Sequence, residues 1–144
     1  MGLLRLARKP PVVVAPNATV MDAVRTMVEH KTGSVAIVDR NRIVGIFTER
    51  DVMDRVAYAK RDLDKTPITE VMSREVKCVT DATSVKEAVA LMRQNKIRHL
   101  PIVNDQGILE GVVALRYLLF DIVDDLEKEA TSLRSYMGAD GPGG

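Results

Sequence analysis

The chain has no tryptophan, and aromatic residues make up only 3% of it. Proteins that grip single-stranded nucleic acid stack bases on aromatic rings, so there is little here from which to build such a platform. Charge of one sign is also missing: Lys plus Arg number 21, Asp plus Glu 20, and the formal net charge is +1. A general nucleic-acid binder carries a clear basic excess, so nucleic acid is not an expected partner. With a single cysteine, Cys78, no internal disulfide can form, which fits a reducing cytosol. Within VKCVT, Cys78 reads as a small buried hydrophobe rather than a nucleophile. No run of 18 uncharged apolar residues occurs, so no membrane-spanning helix is expected. The opening MGLLRLARKPP has one short apolar patch and no small-residue cleavage site, so it does not read as a signal peptide. Leu6 stands where a myristoylation signal wants Ser or Thr. Together these absences predict a cytoplasmic protein.

Catalytic constellations are missing as well. The two histidines, His30 and His99, occupy non-equivalent positions, and there is no metal-ligand cluster, P-loop or Ser-His-acid order. Glu49 and Asp51, two apart on a helix, do not face each other as an acid pair. The chain is therefore not expected to be an enzyme or to carry a cofactor.

What is present is a repeat. VAPNATVMDAVRTMVEHKTGSVAIVD (14–39) lies over VTDATSVKEAVALMRQNKIRHLPIVN (79–104), 65 positions further on. Val14 meets Val79, Ala23-Val24 meet Ala88-Val89, and Ile37-Val38 meet Ile102-Val103; after one extra residue near Gly107, Gly45 meets Gly111 and Arg50 meets Arg116. In each copy Thr19 or Ser84 can cap a helix, with Asp22 or Glu87 in its first turn. Apolar residues then recur at helical spacing until about Lys31 or Lys96. SVAIV and LPIV predict one strand, IVGIF and LEGVVAL a second, with the polar turns DRNR and NDQG between them. A second helix begins near Glu49 and near Arg116. The fold class is α+β, as two tandem strand-helix-strand-strand-helix repeats over 9–66 and 67–126. ITEVM, in the joining segment, suits a short helical turn. Residues 127–144 form a helix end and a tail, MGADGPGG, expected to be flexible. Leu119, Ile122, Val123, Leu126, Ala130 and Leu133 make one helical stripe, which packs either on its own domain or against another subunit.

Two copies carrying GSVAIVD…IVGIFTERDVM and IRHLPIVNDQGILEGVVALRYLL resemble a pair of CBS domains, or Bateman module, over about residues 10–125. The resemblance implies two repeats packed through their sheets and a cleft for an adenosine-containing ligand such as AMP, ATP, NAD or S-adenosylmethionine. It also implies a disc-like homodimer that regulates an effector protein, here one encoded elsewhere, and is not itself a catalyst. The family pattern apolar-apolar-Thr/Ser-x-x-Asp matches Ile46-Phe47-Thr48-Glu49-Arg50-Asp51. By resemblance Asp51 holds the ribose and Thr48 the phosphate, with Arg50 inside the motif. The backbone near Ile46 and the segment Val76-Lys77-Cys78 flank the adenine, and Gly33-Ser34 lie near the phosphates. The chemistry is sound without the family: a carboxylate accepts two bonds from a cis-diol, and a hydroxyl at a helix start suits a phosphate. The same Thr-x-x-Asp is also an ordinary helix cap, and cap and ligand site can coexist.

The second copy departs from the pattern. Ala114 stands at the position of Thr48 and Tyr117 at that of Asp51. That site is expected to be weak or empty for ribosyl ligands unless Tyr117 stacks on a base. The second copy instead carries Arg98 and His99 before its strand; Arg98, Arg116, Lys96 and Lys77 form a candidate anion pocket, or else each lies solvated at the surface. The competing functional reading is a homodimeric interaction or assembly module whose ligand site is vestigial.

Overall fold

Both repeat helices start on a reciprocal cap. The computed structural model describes residues 2–140, with side chains through Met137. Thr19 Oγ1 accepts the Asp22 N–H at 3.2 Å while the Asp22 carboxylate accepts the Thr19 N–H at 2.9 Å, opening α1 (Val20–Glu29). Ser84 and Glu87 repeat the arrangement, at 3.0 and 3.2 Å, to open α3 (Val85–Asn95). Each box satisfies two backbone donors that a helix start leaves unpaired. The bonds from Thr19 and Ser84 hold both carboxyls below their ordinary pKa. Each helix is then left through a lysine in left-handed conformation, Lys31 (φ 52°) and Lys96 (φ 55°).

The first repeat has a three-stranded sheet in the order β1 (Val13–Val14), β2 (Ser34–Asp39), β3 (Arg42–Thr48), with β1 parallel and β3 antiparallel to β2. Arg40 and Asn41, both at positive φ, make the two-residue turn whose twist suits a hairpin. The second repeat has the equivalent hairpin, β4 (His99–Val103) and β5 (Leu109–Ala114), turning at Gly107 (φ 80°). Its opening strand shrinks to one bridge: Val79 bonds to Pro101 and Val103 but its neighbours do not join the ladder. Cys78 is accordingly exposed. The expectation of a buried cysteine is thus corrected: only Val79 of that segment reaches the core. Neighbouring protein desolvates the thiol and pushes its pKa up.

Each repeat has its own core. Val20, Met27, Ile37, Phe47 and Ile68 anchor the first; Leu100, Ile102, Val113, Met92 and Leu118 the second. The short turn Ile68–Glu70 supplies Ile68. The second core takes one further member from the far end of the chain. Leu3, only 2% exposed, lies in a 3-10 turn (Leu3–Leu6) held by its N–H on the Asp81 carbonyl (3.0 Å) and by the Leu4 N–H on the Asp81 carboxylate (2.7 Å). Arg5 ion-pairs with Asp121, and Arg8 bridges to Val112. The repeats also touch where the Leu109 N–H donates to the Asn41 carbonyl at 3.2 Å.

After β3, α2 (Glu49–Asp51) runs straight into a wider π-helical turn (Val52–Ala57). After β5, α4 (Leu115–Asp140) is a single helix of 26 residues, buried at Leu118 and exposed along most of its length beyond. The end of MGADGPGG, from residue 141, lies outside the described residues. No helix among the described residues is long and apolar enough to cross a membrane.

Candidate functional site

Two clefts lie between the repeats, one at the end of each repeat's hairpin. The first, of about 610 Å³, has Ile46, Thr48, Arg50 and Asp51 on one wall, Val76 and Lys77 on a second, and Lys96, Arg98 and His99 on a third. The second, of about 660 Å³, has Ala114, Arg116 and Tyr117 where the first has its motif, faced by Arg8, Lys31 and Ser34. Both volumes suit a nucleotide-sized ligand. The main chain treats them alike: the Glu49 N–H donates to the Gly33 carbonyl at 3.0 Å, and the Leu115 N–H to the Arg98 carbonyl at 2.8 Å.

In the first cleft the cap forms. Thr48 Oγ1 accepts the Asp51 N–H at 3.3 Å, and Asp51 Oδ2 accepts the Thr48 N–H at 2.9 Å. The other carboxylate oxygen lies 3.6 Å from Arg55 Nε, while Arg55 also donates to the Val71 carbonyl at 2.9 Å. Asp51 is thus fixed from both sides, with its side chain 13% exposed. A carboxylate has about four acceptor positions, so these contacts leave room for a diol. The Ile46 main chain is already engaged, exchanging both bonds with Ser73 (3.0 and 2.9 Å), so this residue offers the cleft its apolar side chain rather than free backbone groups.

Between the clefts lies a shared seam. Gly33, Glu49, Arg98 and His99 line both. A Cβ on Gly33 would sit 3.1 Å from Glu49 Oε1 and 3.4 Å from His99 Cε1, so glycine is what lets the acid and the imidazole approach. Burial lowers the His99 pKa; Glu49 opposes this, while Arg116 and Arg98 add to it. The second cleft therefore presents cations with Glu49 as its acid. In place of a Thr-Asp pair it has Tyr117, whose ring lies 5.1 Å from the Arg116 guanidinium carbon and edge-on to Phe120.

Of the residues singled out from sequence, Ile46, Thr48, Arg50, Asp51, Val76, Lys77, Arg98, His99 and Gly33 meet in the first cleft. Ser34 is buried and lines the second instead, and Cys78 lines neither. The expected anion pocket divides: Lys77 and Lys96 face the first cleft, Arg116 the second, and Arg98 both. Sequence reasoning missed Glu49 as a seam residue, Arg55 as the brace of Asp51, and Arg8 and Lys31 as second-cleft cations. An acid directly after the capping Thr and an Arg four residues beyond Asp51 were the available signals for the first two. Nothing local marks Arg8. Among the described residues no group of three or more His, Cys, Asp or Glu side chains could hold a metal ion.

The family model described as CBS domain matches this chain twice, at residues 4–58 and 68–124. The CBS domain-containing protein YhcV of Bacillus subtilis is 40% identical over 102 residues, which cover 71% of this chain and 71% of that protein. A solved CBS domain protein of Pyrobaculum aerophilum, complexed with AMP, superposes with a TM-score of 0.80 at 29% identity, covering 88% of this chain and 97% of that one. A CBS-domain pair solved in complex with 5′-methylthioadenosine and S-adenosyl-L-methionine superposes with a TM-score of 0.78 over 87% of this chain and 98% of that one; at 24% identity it speaks to the fold alone.

Proposed function

Since the chain belongs to the CBS-domain family as a tandem pair, we propose that it is a regulatory module that senses an adenosine-containing ligand in the first cleft. The observation that carries the reading is the convergence, in one cleft of nucleotide size, of a braced carboxylate (Asp51), a hydroxyl (Thr48), apolar walls (Ile46, Val76) and cations (Lys77, Arg98). Asp51 takes the ribose diol, Ile46 and Val76 sandwich the base, and Thr48 with the cations takes the phosphate. The AMP complex of the Pyrobaculum relative supports this class of ligand. The module acts without catalysis, as a cytoplasmic homodimer that passes its occupancy to a separate effector protein. Titration calorimetry with AMP, ATP, NAD and S-adenosylmethionine tests it. One ligand is expected per chain, and at 100 times its Kd that ligand adds about 2.7 kcal/mol of stability. Failure of all four to bind overturns the reading.

One observation favours the alternative, an assembly module with a vestigial site. Asp51 and Thr48 already satisfy each other as a cap, so both residues have a use without any ligand. Absence of binding combined with a stable homodimer is the result this alternative expects.

A further inference from the structure

The far part of α4 leaves the body of the protein, and an apolar series along it is regularly spaced. Leu119, Val123, Leu126, Ala130, Leu133 and Met137 follow one another at alternating steps of four and three. Alternating steps of four and three put seven residues between successive like positions, the heptad spacing of a coiled-coil seam. Leu119, Leu126 and Leu133 occupy the d positions, and Val123, Ala130 and Met137 the a positions. Every b, c and f residue from Asp121 to Ser135 is polar. Leu126, Leu133 and Met137 are 58%, 59% and 60% exposed, so the chain's own body does not cover the seam. The helix stretch from Leu119 to Met137 is about 27 Å long at 1.5 Å per residue.

We propose that this stretch pairs with the same stretch of a second copy as a two-stranded, parallel coiled coil. Charge decides both the occupant and the direction. In a parallel pair each g residue faces the e residue of the next heptad on the partner helix. That brings Glu129 (g) opposite Arg134 (e), twice by symmetry. An antiparallel pair with the same apolar layers, centred at Lys128, sets Glu127 against Glu127 and Glu129 against Glu129, two like-charge contacts. Leucine at d with a β-branched residue at a, as at Val123, is also the combination that favours two parallel strands. Phe120 at e and Ile122 at g widen the apolar seam beside the body, and Tyr136 at g widens its far end. Fewer than three heptads add to a contact between bodies rather than replacing it, so the inference rests on the homodimer reading above. It adds that the two modules point the same way. Leu119, the first seam residue, also lines the second cleft, which puts that cleft beside the partner.

Site-directed cross-linking of the full chain tests this, in a Cys78→Ser background because Cys78 is exposed. In a parallel pair each d layer meets itself, so Leu126→Cys forms a disulfide-linked dimer under mild oxidation, and Lys128→Cys, on the outer face, does not. Glu129→Arg is expected to weaken the dimer about fivefold by sedimentation equilibrium, and adding Arg134→Glu to restore it, since two exposed ion pairs are at stake. Linking of Leu126→Cys no faster than Lys128→Cys overturns the proposal. So does faster linking of Leu126→Cys to Ala130→Cys than to itself, or no change in affinity with Glu129→Arg. A wild-type chain that sediments as a monomer removes the homodimer reading as well; a dimer that fails to cross-link removes only the coiled coil.

Discussion

The two clefts share a backbone and differ in side chains. At the first, Thr48 and Asp51 place a hydroxyl and a carboxylate at a helix start; at the second, Ala114 and Tyr117 place a methyl and a phenol on the equivalent turn. The Glu49-to-Gly33 and Leu115-to-Arg98 bonds show that the turn is held the same way in both. The repeat supplies a scaffold, and under the proposed reading two substitutions decide which cleft accepts a diol. The helices that follow diverge too. Behind the first cleft a short helix widens into a π turn, while behind the second a helix of 26 residues carries the apolar seam.

Asp51→Ala gives the sharpest test of that difference. Hydrogen bonds to a charged group are worth roughly 1.5–3 kcal/mol each, so losing two is expected to weaken adenine-nucleotide binding on the order of 100-fold or more. The proper control is Asp22→Ala, which removes the same capping-box acid from α1, away from both clefts. It is expected to lower stability at the helix start and leave binding alone. Calorimetry and melting curves on both variants separate ligand chemistry from capping, and equal binding by the two would erase the contrast between the clefts.

A second comparison concerns the cores. The second repeat borrows Leu3 from the chain start, whereas the first is closed by Ile68 from the segment that joins the two repeats. Leu3→Ala is expected to cost about 2–5 kcal/mol by urea unfolding, with hydrogen exchange rising in β4 and β5 before β2 and β3. A cost under about 1 kcal/mol would mean the second core does not need the segment.

The smallest effect is pH-dependent and belongs to the second repeat alone, because the first has Ser34 where the second has His99. Burial lowers the folded-state pKa of His99 below its ordinary value of 6.5. In the window just below 6.5 the unfolded chain therefore binds more protons, and stability falls as pH falls. Above that value the contribution is fully present. His99→Asn should flatten this slope between about pH 7.5 and about pH 5 in melting curves. An unchanged slope would assign the acid sensitivity elsewhere.

What the sequence determined by itself was short-range. The caps at Thr19 and Ser84, the lysines that end both helices, the two hairpins and the Thr48–Asp51 turn each depend on residues within a few positions. Their chemistry is readable from spacing, and the internal repeat doubled the cap, helix-end and hairpin signals, though not the Thr48–Asp51 turn. Tertiary structure decided what depends on distant partners. Leu3 joins the second core because Asp81, far along the chain, takes the Leu3 and Leu4 N–H groups. Cys78 stays outside although it stands among apolar neighbours, because only Val79 of that segment pairs with β4. Ser34 turns to the second cleft rather than the first, and Gly33, Glu49, Arg98 and His99 serve both, because each cleft is built from the two repeats at once. Periodicity records which face of an element is buried; it holds no information on which distant segment will do the burying.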